Sequence, residues 1–290
     1  MSPLDFLLSV LRMSTPLIFA ALGGLLSERS GVINIALEGL MLVGAFTAAV
    51  VTLWGGEPEY GFLAAGAAGA FMGLLYGWSV LHGRGNQIVA GTAMNLFVMG
   101  MIPLLLKVLY DSTGGTPSFA AEDRFQSFPL WFVFVCAAAV WLLMRRTRPG
   151  LWISFAGENP PALDAAGVSV MKVRYAAVAA SGLLAAWGGA SLSIFLASGY
   201  SRNMVAGRGF MALAALILGK WRPPLAVAAC LFFGLMEALQ IRLQGAQLAG
   251  VAVPAQLIQV IPYLATIVVL AGFVGQARPP RAIGQLFEKA

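Results

Sequence analysis

Asn34 and Glu38 stand four residues apart in an otherwise apolar stretch, ERSGVINIALEGLMLVGAF, running from Glu28 to Phe46. If the stretch is helical, that spacing puts the amide and the carboxylate on one face. A carboxylate at membrane depth costs about 2.5 kcal/mol or more, so it is expected to face a partner or a water-filled cavity rather than lipid. Gly31, Gly39 and Gly44 surround the pair and permit close backbone approach or a break. The pair lines a pathway, or it only holds helices together.

Three further apolar segments repeat the pattern. Gln87, Gly91 and Asn95 lie at i, i+4 and i+8, and Glu237, Gln240 and Gln244 at i, i+3 and i+7. Gln256, Gln259 and Tyr263 follow the second spacing, next to Pro254 and Pro262, which can kink a helix. One such stripe is explained by interhelical hydrogen bonding. Four stripes converging in an apolar bundle suit a neutral polar solute with many hydrogen-bonding groups, such as a sugar or a nucleoside.

The elements that position these residues follow from composition. Of 290 residues, 59% are hydrophobic and only 10% charged, against about 25% charged in soluble domains. The chain reads as an all-α, polytopic transmembrane helix bundle, residues 1–290 forming one transmembrane unit without a soluble domain. At about 20 residues per span, nearly all the length is used in crossing the bilayer. The apolar runs predict nine spans: 10–26, 31–54, 61–81, 87–110, 128–144, 175–197, 210–219, 225–243 and 253–273. The seventh is too short to cross alone and suggests a half-helix or re-entrant piece near 205–220, tolerated only where protein or a cavity surrounds it.

The basic residues are uneven. Arg29, Arg84, Arg145, Arg146, Arg148, Lys172, Arg174, Lys220, Arg222, Arg278, Arg281 and Lys289 fall on one side of this arrangement. Arg12, Lys107, Arg124, Arg202, Arg208 and Arg242 fall on the other. The positive-inside rule puts the first set in the cytoplasm, with the N-terminus outside and the C-terminus inside. The net charge of +6 is this loop bias and not a nucleic-acid surface. Cys136 and Cys230 show no metal or redox spacing. The start, MSPLDFLLSV, lacks the pattern of a cleavable signal. No nucleophile–base pair or metal cluster stands out, and His82 reads as an interfacial side chain. Gly219-Lys220 is followed by Trp221, so the phosphate-cradling Gly-Lys-Ser/Thr ending is missing and any ATP is used by another chain.

The region 145–174 reads as a polar loop enclosing one short helix. Asn159 can cap it, Pro160 suits its first position and Gly167 suits a left-handed stop. Two turns are marginal alone in water, so the piece makes sense docked in a partner groove. Glu158 and Asp164 would offer charge at the rim, while Ala162, Ala165 and Ala166 would allow close approach.

The segments ERSGVINIALEG, RGNQIVAGTAMNL, GENPPALDAAGVSVMKVRY, AGRGFMALAALILGKWRPP and AQLIQVIPYLATIVVLAG together resemble an inner-membrane permease of an ATP-binding-cassette importer. The resemblance runs from about Thr15 to Ala277 and is to the branched-chain amino acid and ribose-type permease superfamily, in the branch working with basic-membrane-protein-type lipoproteins. It implies nucleoside import, a heterodimer with a second related permease, an ATPase pair below and a substrate-binding lipoprotein above. It also implies that Glu158 to Gly167 is the coupling helix. Riboflavin, a simple sugar or a branched-chain amino acid remain alternative solutes. A self-sufficient secondary transporter or channel is the alternative class; acidic or histidine proton relays and an inverted repeat would mark it.

Overall fold

A computed structural model of the chain describes residues 3–120, 122–244, 247–248, 251–252, 260, 264 and 278–287. Among these residues the architecture is helical, with one two-residue antiparallel pairing, Gln247–Leu248 against Val251–Ala252. The helices are α1 (Pro3–Arg29), α2 (Leu37–Gly55), α3 (Pro58–Gly77), α4 (Gln87–Tyr110), α5 (Phe128–Arg146), α6 (Arg148–Glu158), α7 (Pro160–Ala165), α8 (Val170–Ser191), α9 (Arg208–Leu218) and α10 (Pro223–Leu243). Single π-helical turns, Trp78–His82 and Leu192–Leu196, extend α3 and α8.

Seven described helices are long and apolar enough to cross a membrane. α9 is short, as its sequence suggested. The ninth expected span, 253–273, with Gln256, Gln259 and Tyr263, lies outside the described residues. Among the described residues the long spans number seven.

α8 occupies the centre, packed against α1, α2 and α3. Small residues make this possible. Gly182 on α8 meets the backbone of Gly69 on α3, and Gly189 meets the backbone of Met41 on α2. A side chain at either position would collide with main chain, so the helices approach closely only through glycine. α4 and α5 are peripheral: Leu96, Leu104 and Val108 on α4, and Trp131, Val135 and Leu142 on α5, are exposed. The chain turns back at Asp111–Ser127, where Thr116 N–H donates to the Tyr200 carbonyl at 3.0 Å and pins this loop to the segment before α9.

Two expectations are corrected. The second span does not begin at Gly31, because helix starts only at Leu37. Gly31 adopts φ +92°, a left-handed setting that ends α1, and the next five residues are irregular. Region 145–174 is not mainly loop. Thr147 caps α6 by accepting from Gly150 N–H at 3.3 Å, with Pro149 in the first turn, and α8 begins at Val170. The Thr-Arg-Pro start signal was present in the sequence.

The described part of the tail returns to the end where α1 finishes. Ala282 N–H donates to the Gly157 carbonyl (2.8 Å) and Gly284 N–H to that of Gly31 (2.9 Å). Pro3 lies 27 helical residues away at the start of α1, so it and the tail occupy opposite ends of the bundle.

Candidate functional site

An irregular strap, residues 31–36, joins α1 to α2 inside the bundle. Backbone polar groups in such a place must all find partners. The sequence-predicted polar residues supply them. Gln87 Oε1 accepts from Ile33 N–H at 2.8 Å. The Tyr76 hydroxyl donates to the Ile33 carbonyl, and the Gln87 carbonyl lies 3.1 Å from the same oxygen. Asn95 Nδ2 donates to the Ile35 carbonyl at 2.9 Å, while its Oδ1 accepts from Gly39 N–H at 2.8 Å. Asn95 thus caps α2 from a neighbouring helix, satisfying one of the four donors any helix start leaves over. Ser27 Oγ donates to the Val32 carbonyl at 2.8 Å. Gln87, Gly91 and Asn95 do share the buried face of α4, as their spacing implied, and that face grips the strap.

Asn34 and Glu38 do not share a helix face, because Asn34 precedes the helix. Asn34 is fully buried, donates through Nδ2 to Ser181 Oγ on α8 at 2.9 Å and accepts from Ala36 N–H at 3.2 Å. That second bond is a local turn typical of asparagine.

Glu38 holds a different element. Its Oε1 accepts from Gly207 N–H at 2.7 Å and its Oε2 from Gly209 N–H at 2.8 Å. The carboxylate therefore caps the N-terminus of α9 from outside that helix, where amide donors and the helix dipole favour negative charge. Gly209 allows the approach; a Cβ there would lie 2.5 Å from the Glu38 amide nitrogen. Glu237 on α10 serves the same helix end. It pairs with Arg208, Nε to Oε1 at 3.3 Å, with Nη2 3.4 Å from Oε2. The two acids singled out in the sequence thus converge on the start of α9.

α9 has 11 residues, about 16 Å of helix and roughly half a hydrocarbon core. Its C-terminal turn is anchored where Trp221 Nε1 donates to Glu28 Oε2 at 2.5 Å. Its N-terminus therefore points into the interior. Half-helix ends and broken strands of backbone can form polar surfaces inside a membrane protein without exposing unpaired groups to lipid.

Some polar capacity is left after bracing. Among the described residues, Gln87 Nε2 is buried without a hydrogen-bond partner. Gln240, one turn beyond Glu237, is half-buried, whereas Gln244 lies past the end of α10 and is exposed. Sequence reasoning overlooked Tyr76, Ser181 and the Glu28–Trp221 pair, and treated Arg208 only as a loop charge. The acidic flank of ERSG and the aromatic in GKWRPP were the available signals.

At the basic end, α7 has the anticipated form. Asn159 Oδ1 accepts from Ala162 N–H at 3.3 Å, Pro160 opens the helix and Gly167 closes it at φ +78°. Leu163 is buried with Ala156 and Val170, so α7 is fixed to α6 and α8. Ala162, Ala165, Ala166 and Gly167 are exposed and Asp164 is half-buried. Glu158 is exposed; it accepts from Arg281 N–H at 3.4 Å and lies 3.9 Å from Arg29, so it contributes to the tail seat.

Comparison with known proteins gives a consistent result. Residues 6–272 match the family model described as branched-chain amino acid transport system / permease component. The guanosine ABC transporter permease protein NupQ of Bacillus subtilis is 35% identical, over 93% of this chain and 92% of its own length. The nucleoside ABC transporter permease protein NupC of Lactococcus lactis is 34% identical, over 96% and 94%. Among solved structures, a metal-chelate-type ABC transporter in an inward-facing conformation superposes with a TM-score of 0.54. The superposition covers 93% of this chain and 86% of that one at 14% identity, a likeness of fold.

Proposed function

The chain belongs to the branched-chain amino acid transport system / permease component family, and from that premise we propose that it is the permease subunit of an ATP-driven importer for a nucleoside. The solute class is carried by one observation, the similarity over more than nine-tenths of both chains to permeases of guanosine and nucleoside transporters. A nucleoside offers ring amides and hydroxyls, which suit amide side chains. Gln87 and Gln240 retain hydrogen-bonding capacity after bracing, and Gln256 and Gln259 complete the proposed lining. Asn34, Asn95, Glu38 and Glu237 set the shape of that lining.

Uptake of radiolabelled guanosine by cells carrying the whole transporter tests this reading. Saturable uptake that competes with other nucleosides and disappears on deletion of this chain is expected. Uptake of leucine, riboflavin or ribose without guanosine would overturn the solute assignment.

The partners follow from the same reading: a separate ATPase subunit that alone uses ATP, a second related permease and a substrate-binding lipoprotein. The end carrying Arg145, Arg146, Arg148 and α7 faces the cytoplasm, which leaves the N-terminus outside and the C-terminus inside. The opposite placement of Pro3 and the tail supports this.

Pro160 to Gly167 is the coupling helix, with Asn159 as its cap and Glu158 tying its base to the tail. Ala162, Ala165 and Ala166 present a small, exposed surface to a groove on the ATPase. Ala166→Trp should abolish import and the stimulation of ATP hydrolysis, with capture of guanosine by the lipoprotein unchanged. Normal import with normal ATPase stimulation would place coupling in another loop.

A further inference from the structure

A cleft of about 610 Å³ opens at the basic end of the bundle, between the end of α5 and the turn that joins α9 to α10. Five cations line it: Arg29, Arg145, Lys220, Arg222 and Arg278. No acidic residue is among its described lining residues. Arg222 stands close enough to Arg29 for their charges to repel. Arg29 is partly offset by Glu158 at 3.9 Å. Among the described residues, Lys220, Arg222 and Arg278 form no ion pair. Glu28, behind the wall, is occupied by Trp221. Holding five cations round one cavity without an anion is electrostatically unfavourable.

The rest of the lining is apolar and aromatic: Trp141, Met144, Trp221, Pro223 and Pro224. Arg145 lies 5.4 Å above the Trp141 ring. The turn is firmly set: Lys220 and Trp221 both take left-handed backbone angles, φ +50° and +52°, which non-glycine residues adopt at a cost. The α5 wall continues away from the cleft as an exposed apolar stripe, Leu142, Val135 and Trp131. α5 has 19 residues, about 28 Å at 1.5 Å per residue, close to the hydrocarbon thickness of a bilayer. Arg145, one residue from its end, thus stands at headgroup depth with a chain-length apolar track beneath it.

We propose that this cleft binds the headgroup of an anionic phospholipid, with an acyl chain along the exposed face of α5. The guanidinium groups offer paired donors to phosphate oxygens, and the aromatic wall sits at the depth where such rings favour the interface. The lipid would neutralise the cluster and brace the turn from which α9 rises, linking the membrane at this end to the half-helix held by Glu38.

The test is native mass spectrometry of the intact transporter after exchange into an equimolar mixture of phosphatidylglycerol and phosphatidylcholine. The wild type should retain phosphatidylglycerol with about tenfold preference, and Arg145→Gln with Arg222→Gln should remove most of it. Arg278→Gln, on the tail, is a milder second variant and should lower the preference about threefold without disturbing assembly. Absence of preference in the wild type, or an unchanged preference in both variants, would overturn the proposal. Displacement of the lipid by millimolar inorganic phosphate would reassign the site to a soluble anion. Loss of the ATPase subunit from the variants, with lipid selectivity intact, would reassign it to a protein contact.

Discussion

Replacing Glu38 with Ala is expected to loosen α9 and lower the apparent melting temperature of the purified transporter by several degrees. Two backbone donors, Gly207 N–H and Gly209 N–H, lose their acceptor, and Glu38 is only 5% exposed, so water does not readily replace it. A hydrogen bond to a charged group contributes about 1.5–3 kcal/mol in mutational series, while polar contacts within membranes average nearer 0.6 kcal/mol. A loss of about 2–4 kcal/mol is therefore reasonable for two bonds and a helix-end charge. Glu38→Gln retains one acceptor oxygen and should fall between the two. Glu237→Ala should act in the same direction by stranding Arg208. The competing idea is that Glu38 touches the solute. It requires the opposite pattern, with stability unchanged in Glu38→Ala and transport of one solute lost selectively. That outcome would sink the bracing role.

Much of the fold was legible because long apolar helices leave strong traces. The fourth span was read at its true limits, Gln87–Tyr110, and in the structure Asn86 caps its start and Asp111 ends it in a left-handed setting. The short helix at Pro160 was legible for the same reason, with a cap, a proline and a glycine in their expected places. What escaped was how helices break and return. Residues 31–36 are apolar enough to read as the start of a span, and partners elsewhere in the chain, among them side chains on α3, α4 and α8, hold them irregular. Those partners lie as far as 147 positions away along the chain, as with Asn34 and Ser181. Periodicity within one segment cannot report such pairings. The polar stripes were found correctly as residues, but their partners were invisible. Glu38 and Glu237 act on α9, and the amide of Asn95 is committed to α2.

Arg174 makes the sharpest case, and its loss is the second large effect expected. In the sequence it was one of twelve loop charges. In the structure it is fully buried near the start of α8, where its guanidinium donates to three carbonyls. Nε reaches Ser30 at 3.1 Å, Nη1 reaches Gln285 at 2.8 Å and Nη2 reaches Ala156 at 3.1 Å. These acceptors belong to the end of α1, the tail and α6, so one side chain joins the strap, the tail and the base of α7. Three donors in a fixed plane are available from arginine and not from lysine. Arg174→Leu leaves the buried Ser30 and Ala156 carbonyls and the part-buried Gln285 carbonyl without this donor and should cost about 3–5 kcal/mol. Arg174→Lys should recover only part of it. The tail should then detach first, since its remaining described backbone ties are Ala282 to Gly157, Gly284 to Gly31 and Arg281 to Glu158. A cysteine placed at Gln285 would report this as faster labelling in Arg174→Leu than in the wild-type background. If α7 passes the movement of an ATPase to the bundle, that movement reaches the strap through this residue. Arg174→Leu should then sever import from ATP hydrolysis even with the surface of α7 intact. Equal labelling, equal thermal stability and normal import in that variant would show that the three contacts carry neither the tail nor the coupling.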